Sequence, residues 1–184
     1  MERQSSRVLV CYATGTGCTK GVAERIAEAL TRAGLVTDVA QFAQAADPRA
    51  YDAIVAGSGT RAGSWHPVAK KWMVCNAPAL KSRPLALFTV GIAMADRPEK
   101  ESETLGVTDR LLERTGLRPL GIGAFAGWYD PGKFNYLERK IMGIAKAPVG
   151  DFRDWEAIEA WATRVAGTLT TARGSANRSG SALS

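Results

Sequence analysis

The sequence contains few of the residues that most often bind metal ions or form disulfides. It has one histidine, His66, and three cysteines, Cys11, Cys18 and Cys75, in 184 residues. The cysteines are widely spaced and form no CxxC pair, so the sequence excludes a structural zinc site and a disulfide framework. We therefore predict no metal site, and we expect three thiols of a reducing compartment.

Long apolar runs are also missing. No stretch approaches the roughly 20 apolar residues that a membrane-spanning helix needs, and residues 1–7 lack the apolar core of a signal peptide. We therefore expect a cytoplasmic protein. The composition, 46% hydrophobic and 23% charged, is typical of a globular protein, and 184 residues are enough for one α/β domain.

Positive charge is in excess, with a formal net charge of +6. Such an excess raises the question of anionic partners, but no motif supports nucleic-acid binding, and none is expected. Part of the excess lies in residues 173–184, which are rich in Ser and Gly and poor in apolar residues. We predict one domain over residues 1–172 and a disordered tail over residues 173–184.

Strand-like and helix-like patterns alternate along the chain, which indicates an α/β protein with a parallel sheet covered by helices on both faces. The predicted strands are Arg7–Tyr12, Val36–Phe42, Tyr51–Gly57, Arg83–Val90 and Arg118–Ala126. The main predicted helices are Thr19–Ala33, Pro67–Cys75, Glu101–Thr115 and Phe152–Thr170. We predict a doubly wound sheet with strand order 2-1-3-4-5, in which ligands bind beyond the carboxyl ends of the strands, at the switch point between strands one and three.

The loop after the first strand, Thr14-Gly15-Thr16-Gly17-Cys18-Thr19, has the composition of a phosphate site. A helix start offers free backbone N–H groups and a positive dipole end, glycines let the backbone wrap closely, and threonine hydroxyls add donors. The Walker spacing fails because Thr19 precedes Lys20, and the dinucleotide spacing fails because Gly21 falls one place late. The alternative is a tight strand-to-helix turn without a ligand.

This loop resembles the flavodoxin family, whose phosphate loop reads [ST]-x-T-G-x-T. Within that superfamily the chain resembles the menaquinone-dependent protoporphyrinogen oxidase (protoporphyrinogen dehydrogenase) branch over about residues 7–170. The further matches are Arg61-x-Gly63-x-Trp65-His66, Arg97-Pro98-Glu99-Lys100, the basic segment Phe134–Lys146 and the helix start Asp154-Trp155. The resemblance implies a flavodoxin-like fold and FMN as the cofactor.

The resemblance also implies which residues contact FMN. The phosphate would lie in the loop after strand one, and the loops after strands three, four and five would surround the isoalloxazine ring. The expected cofactor-binding residues are Thr14, Gly15, Thr16, Gly17, Cys18, Thr19, Ser58, Gly59, Thr60, Arg61, Ala62, Gly63, Trp65, Val90, Gly91, Ile92, Ala126, Gly127 and Trp128. His66 and Arg61 are the expected catalytic residues.

Several of these residues have a structural alternative that the sequence leaves open. His66 is either a proton donor or the capping residue before a helix, and Arg61 either stabilises the reduced flavin or forms a surface salt bridge. Trp65 and Trp128 either stack on the flavin or pack against neighbouring elements. Cys18 is either a thiol of lowered pKa at a helix start or a loop residue without a chemical role.

Residues 133–146 form the most distinctive segment, with apolar residues on one helical face and basic residues around it. Such a pattern suits a lipid surface or a flat anionic substrate, and its alternative is a helix facing the core. We predict an FMN-dependent oxidoreductase that passes electrons from a flat donor such as a porphyrinogen to a quinone. The alternative is an electron-transfer carrier that docks to redox proteins. Peripheral contact with the inner face of the membrane and homo-oligomer formation are further expectations.

Overall fold

The central sheet confirms the predicted topology. The computed structural model describes residues 5–94, 100–133, 136–137, 139–140 and 148–180, with side chains as far as residue 171. Five parallel strands lie in the order β2-β1-β3-β5-β6, which is the predicted order 2-1-3-4-5 once a short added strand, β4, is counted. Their bounds are β1 Arg7–Ala13, β2 Val36–Gln41, β3 Ala53–Arg61, β5 Leu85–Gly91 and β6 Gly121–Ala126.

Helices cover both faces of this sheet. Their bounds are α1 Cys18–Arg32, α2 Pro67–Cys75, α3 Ala77–Lys81, α4 Glu101–Thr115 and α5 Trp155–Gly180. Helices α2 and α4 have the predicted bounds, because Pro67 occupies the first turn of α2 and Gly116, with φ of 64°, ends α4 in the left-handed conformation. The short helix α3 was not predicted.

The side chains of β1 alternate between two apolar cores. Val8 and Val10 pack on one face of the sheet, against α1 and α5, while Leu9 and Cys11 pack on the other face, against α2 and α4. In the first core the Trp161 ring of α5 meets the Phe125 ring edge-on, with 5.6 Å between the ring centroids. The burial of β1 on both faces fixes the position of the loop that follows it.

The segment after β3 corrects one prediction. Residues Ser58–Ser64 were expected to form a loop, but β3 continues to Arg61 and turns directly into the antiparallel strand β4 (Ser64–Trp65). The turn is made by Ala62 and Gly63, which both have positive φ, 48° and 66°. Two such residues give a turn that matches the twist of the paired strands. The turn was missed because Ala62 rarely adopts this conformation.

The C-terminal part contains a small second sheet, in which β7 (Trp128–Tyr129) pairs with β8 (Gly150–Asp151). Helix α5 begins after Asp154, whose carboxylate caps the helix by accepting a hydrogen bond from the Ala157 N–H at 2.9 Å. The helix continues to Gly180, well beyond the predicted end at Thr170. It thus enters the segment 173–184, whose disorder stays a prediction about the chain in solution.

Candidate functional site

An open cleft lies at the carboxyl edge of the sheet, at the topological switch point between the neighbouring strands β1 and β3. Its volume is about 640 Å³. The described residues that line it are Thr14, Gly15, Thr16, Cys18, Thr19, Gly59, Thr60, Arg61, Ala62, His66, Val90, Ile92, Gly127, Trp128, Lys133 and Leu137. The loops after β1, β3, β5 and β6 therefore meet at one cavity, where the doubly wound topology predicts a ligand.

The loop after β1 holds a defined conformation. The Gly17 N–H donates to the Thr14 Oγ1 at 2.9 Å, and Gly17 has a φ of 90°, which glycine adopts without strain. The Trp128 indole N–H donates to the Thr16 Oγ1 at 3.2 Å. Both threonine oxygens therefore act as acceptors inside the protein, so their hydroxyl hydrogens can be donated to a ligand in the cleft.

Arg153 holds Trp128 in place, and sequence reasoning missed it. Its guanidinium carbon lies 4.5 Å from the Trp128 ring centroid and 4.4 Å from that of Trp155. The Arg153 Nε donates to Asp151 at 2.8 Å, and the Arg153 side chain is only 10% exposed. Asp151 faces Trp128 across the β7–β8 pair. We call Trp128, Asp151, Arg153 and Trp155 the tryptophan clamp.

The tryptophan clamp also contacts the first turn of α1. A Cβ atom at Gly21 would lie 2.8 Å from the Arg153 Nη1, so the guanidinium packs directly on the helix backbone. The Trp128 backbone N–H donates to the Cys18 Sγ at 3.2 Å. The phosphate loop is thus tied to β7, β8 and the start of α5. An arginine two residues after an aspartate has no sequence signature that separates it from an ordinary surface ion pair.

Cys18 has the properties of a packing residue. Its side chain is buried, and burial raises the pKa of its thiol, while the hydrogen bond from Trp128 and the charge of Arg153 oppose that rise. Of the two alternatives for Cys18, burial favours a residue without a chemical role over a thiol of lowered pKa, because desolvation outweighs both stabilising contacts. Cys18 stays a neutral thiol that contributes its Sγ as an acceptor for the Trp128 backbone.

His66 lines the cleft and precedes α2. It occupies the capping position of α2, but its side chain makes no capping hydrogen bond. The ring therefore does not serve as the helix cap that the sequence left open as an alternative. Its Nδ1 atom is buried and has no hydrogen-bond partner among the described residues. Nε2 is therefore the ring nitrogen that can meet a ligand in the cleft.

Some predicted site residues lie outside the cleft. Trp65 is buried in the core, where its indole N–H donates to the Thr89 Oγ1 at 2.7 Å, so it does not stack on a ligand in the cleft. The Ser58 hydroxyl is buried as well, and it accepts a hydrogen bond from the His66 backbone N–H at 3.0 Å. The predicted residues that do not line the cleft are Gly17, Ser58, Gly63, Trp65, Gly91 and Ala126.

Two matching segments are only partly described. Residues 97–99 of the Arg97–Lys100 motif lie outside the described residues, as do Phe134, Asn135, Glu138 and residues 141–146 of the basic segment. The described part of the basic segment is informative, because Lys133 and Leu137 line the cleft. Tyr136 and Leu137 are 74% and 65% exposed, so neither side chain faces the core.

The residues of the cleft fit FMN. The turn into α1 presents helix N-terminal N–H groups and threonine hydroxyls for a monophosphate. A Cβ atom at Gly15 would meet nothing within 4 Å, whereas one at Gly59 would lie 2.9 Å from the Thr19 Oγ1. The cleft is therefore open above the loop and tolerates no side chain at Gly59. This arrangement is that of a doubly wound protein whose cleft at the end of β1 has the shape and the donors to accept a phosphate.

The chain belongs to the flavodoxin domain family, whose model matches residues 9–154. Its fold resembles that of a flavodoxin from Streptococcus pneumoniae TIGR4, with a TM-score of 0.59, 16% identity, and coverage of 90% of this chain and 99% of the other. A WrbA-like flavodoxin from Agrobacterium tumefaciens gives a TM-score of 0.54 at 21% identity, covering 91% and 99%. The prediction of FMN as the cofactor is confirmed.

Two curated relatives carry the same name, protoporphyrinogen IX dehydrogenase [quinone]. The protein from Escherichia coli (strain K12) is 26% identical over 176 residues, which cover 87% of this chain and 94% of the relative. The protein from Leishmania major is 27% identical over 181 residues, covering 89% and 76%. The similarity confirms the predicted branch of the superfamily and the class of activity, an FMN-dependent oxidoreductase.

Burial makes the three thiols unequal, which a thiol-modification experiment can measure. Cys11 and Cys18 are buried and Cys75 is exposed, and burial raises the pKa of both buried thiols. We expect a thiol reagent to modify Cys75 quickly in the folded protein and to modify the other two only after unfolding. Mass spectrometry after a short reaction checks this. Rapid modification of Cys18 in the folded FMN complex would contradict its placement under Trp128.

Proposed function

We propose that this flavodoxin-family oxidoreductase removes hydrogen from a porphyrinogen and passes the electrons through FMN to a quinone. The observation that carries the proposal is the residue composition of the cleft wall outside the phosphate loop. Arg61, Lys133, His66 and Leu137 lie there, and none of the described lining residues is acidic. A cationic and partly apolar wall suits a flat apolar substrate that carries negative charge.

The residues of the chain have separate tasks in this proposal. The loop Thr14–Thr19 would hold the phosphate of FMN, and the backbone around Gly59 and Gly127, which lines the same cleft, would contact its ring, which would supply the redox chemistry. Arg61 lines the same cleft and places positive charge there. Each cycle removes two electrons and two protons from the donor and converts one quinone to a quinol.

His66 is proposed to move one of those protons. Its ring lines the cleft and its Nδ1 is buried without a described partner, so Nε2 is the nitrogen that meets a ligand. The imidazolium form of His66 gives the proton on Nε2 to the quinone oxygen, and the neutral ring then takes a proton from the next donor molecule. The unperturbed pKa of histidine, about 6.5, suits such a transfer near neutral pH.

The described part of the basic segment also supports contact with apolar partners. Tyr136 and Leu137 are largely exposed, next to the exposed cations Lys133, Arg139 and Lys140. This pattern is typical of a surface that contacts lipid headgroups or takes a quinone from a bilayer. Among the described residues, none of the helices has the length and the apolar character to cross a bilayer. Peripheral membrane contact therefore stays a proposal.

An assay with both substrates tests the proposed function. Purified protein loaded with FMN is mixed with protoporphyrinogen and a water-soluble quinone without oxygen, and formation of the fluorescent porphyrin is followed together with loss of the quinone. We expect both to proceed in a fixed ratio, and His66→Gln to slow turnover by about 10²-fold, the contribution typical of a general acid. Absence of turnover with any porphyrinogen would contradict the proposal.

The second candidate function is that of an electron carrier for redox proteins. The resemblance to flavodoxins favours it, since their fold and cofactor site are shared. A carrier accepts electrons from a reductase protein and needs no porphyrinogen or quinone. Rapid electron exchange with a reductase, combined with no porphyrinogen turnover, would favour this second function.

A further inference from the structure

A second cavity lies on the opposite side of the β3–β4 turn, between α2 and α4. Its volume is about 290 Å³. We call it the α2–α4 pocket, and the described residues that line it are Ala62, Gly63, Ser64, Trp65, Lys70, Val74, Val107, Arg110, Leu111 and Arg114. Three of these residues are cationic and none is acidic.

Two of the three cations, Lys70 and Arg110, are positioned by neutral groups. The Arg110 Nη2 donates to the Gly63 carbonyl oxygen at 2.9 Å, and the Lys70 Nζ donates to the Ser64 Oγ at 2.9 Å. Both bonds leave further donors on each cation. Within the described part of the chain, neither these two residues nor Arg114 forms an ion pair. Their charge is therefore not balanced there by a carboxylate.

The spacing of Arg110 and Arg114 concentrates this uncompensated positive charge. Arg110 and Arg114 lie four residues apart on α4, so they occupy the same face of the helix. Like charges at this spacing repel one another, and an anion between them turns the repulsion into attraction. A guanidinium group also binds a carboxylate with two parallel hydrogen bonds. The α2–α4 pocket thus has the chemistry of a carboxylate site.

The remaining walls of the pocket are apolar. Trp65, Val107 and Leu111 are buried side chains of the core, and Val74 is partly exposed beside them. Such walls accommodate the hydrocarbon part of a ligand whose charged end meets the arginines. Ala62 lines both the α2–α4 pocket and the flavin cleft, so the two cavities adjoin at the β3–β4 turn.

We propose that the α2–α4 pocket binds a carboxylate arm of the electron donor while the body of that donor lies in the flavin cleft. This inference rests on the proposed function and narrows it: the preferred donors are tetrapyrroles with free carboxylates, and their esters bind weakly. Quinones carry no carboxylate, so their binding does not depend on Arg110 and Arg114. The pocket would thereby let the protein distinguish the electron donor, which carries carboxylates, from the quinone acceptor, which carries none.

Binding of an unreactive porphyrin tests this inference. The FMN-loaded protein is titrated with mesoporphyrin, which has two carboxylates but no hydrogens to give, and with its dimethyl ester, and the quenching of porphyrin fluorescence gives the dissociation constants. We expect the diacid to bind at least about tenfold more tightly than the ester, since hydrogen bonds to charged groups are the stronger ones. Equal affinities, or no binding of the diacid, would overturn the inference.

Three variants assign the effect to the pocket. Arg114→Gln removes a charge that makes no bond to the turn, and the double variant Arg110→Gln/Arg114→Gln removes both charges of α4. Arg164→Gln, an exposed arginine of α5, removes the same charge elsewhere. We expect weaker binding of the diacid by about threefold in the single variant and about tenfold in the double variant. The affinity for the ester and for FMN should not change.

The outcomes separate this inference from the proposed function. An unchanged affinity for the diacid in the double variant, or an equal loss in Arg164→Gln, would overturn the pocket as a carboxylate site. Quinone reduction by an artificial uncharged donor should stay unchanged in the double variant. If the diacid binds through the arginines but no porphyrinogen is turned over, the inference on binding stands and the proposed function fails.

Discussion

Gly59→Val should lower the affinity for FMN by about a hundredfold, or ~2.7 kcal/mol. A Cβ atom at this position would lie 2.9 Å from the Thr19 Oγ1, which is closer than carbon and oxygen approach without displacement. The two further methyl groups of valine occupy the cleft itself, because Gly59 lines it. Overpacking of this kind costs about 1–3 kcal/mol. Titration of the apoprotein with FMN, followed by quenching of flavin fluorescence, gives the affinity.

The Gly59→Val variant should still fold, so a lower affinity for FMN would result from a change in the binding site and not from unfolding. Gly59 lies in β3, and valine favours strands. Gly59→Ala should give an intermediate loss of affinity, because it adds only the first methyl group. Gly106→Ala is the matched control, since a Cβ atom there would meet nothing within 4 Å. It should leave FMN binding unchanged, and an unchanged affinity in Gly59→Val would show that FMN binds elsewhere.

Arg153→Met should lower the affinity for FMN by about tenfold, or ~1.4 kcal/mol. Methionine fills much of the same space between Trp128 and Trp155, but it cannot hold Asp151 or attract the two ring faces. Trp128 then no longer holds the Thr16 Oγ1 and the Cys18 Sγ in fixed positions. In the variant the phosphate loop must therefore lose conformational freedom when FMN binds, and this entropic cost lowers the affinity.

Arg25→Met is the matched control for the tryptophan clamp. The Arg25 guanidinium also lies on the Trp155 ring, at 5.2 Å from its centroid, and it pairs with Glu159 at 2.6 Å. Its contacts do not include Trp128 or the phosphate loop. This variant should therefore bind FMN like the unchanged protein. An equal loss in both variants would mean that Trp155 packing, rather than the position of Trp128, controls the affinity.

The Asp151–Arg153 pair also gives the clamp a pH dependence. Hydrogen bonds from Arg153 lower the pKa of the Asp151 carboxyl below its ordinary value. The stabilisation is therefore present above the pH range in which an aspartate of the unfolded chain titrates, and it is lost as the pH falls through the lowered pKa. Acid should thus weaken FMN binding in the unchanged protein more steeply than in Arg153→Met.

Local sequence patterns predicted the helices and strands whose ends are marked by characteristic residues. The run Val8–Val10 is apolar because β1 is buried on both faces, and Pro67 and Gly116 mark the ends of helices. The phosphate loop could be predicted for the same reason, since glycine and threonine are needed at fixed places. In these regions the sequence near each residue determines its conformation.

Features that depend on contacts distant in the sequence were missed. The place of Trp65 is decided by Thr89, which lies 24 residues away and offers its indole a buried acceptor. The contact between Trp128 and Cys18 joins residues 110 positions apart. The role of Arg153 depends on β7, β8 and α1 meeting in space. No short pattern contains that information, so these side chains could be assigned only from the structure.

The ratio of the affinities for FMN and riboflavin tests the central claim most directly. The claim is that the loop Thr14–Thr19, held by the tryptophan clamp, binds the phosphate of FMN. Riboflavin has the same ring and lacks only that phosphate. Because each hydrogen bond to a charged group contributes about 1.5–3 kcal/mol, the apoprotein should bind FMN at least about a hundredfold more tightly. Equal affinities for the two flavins would contradict the account.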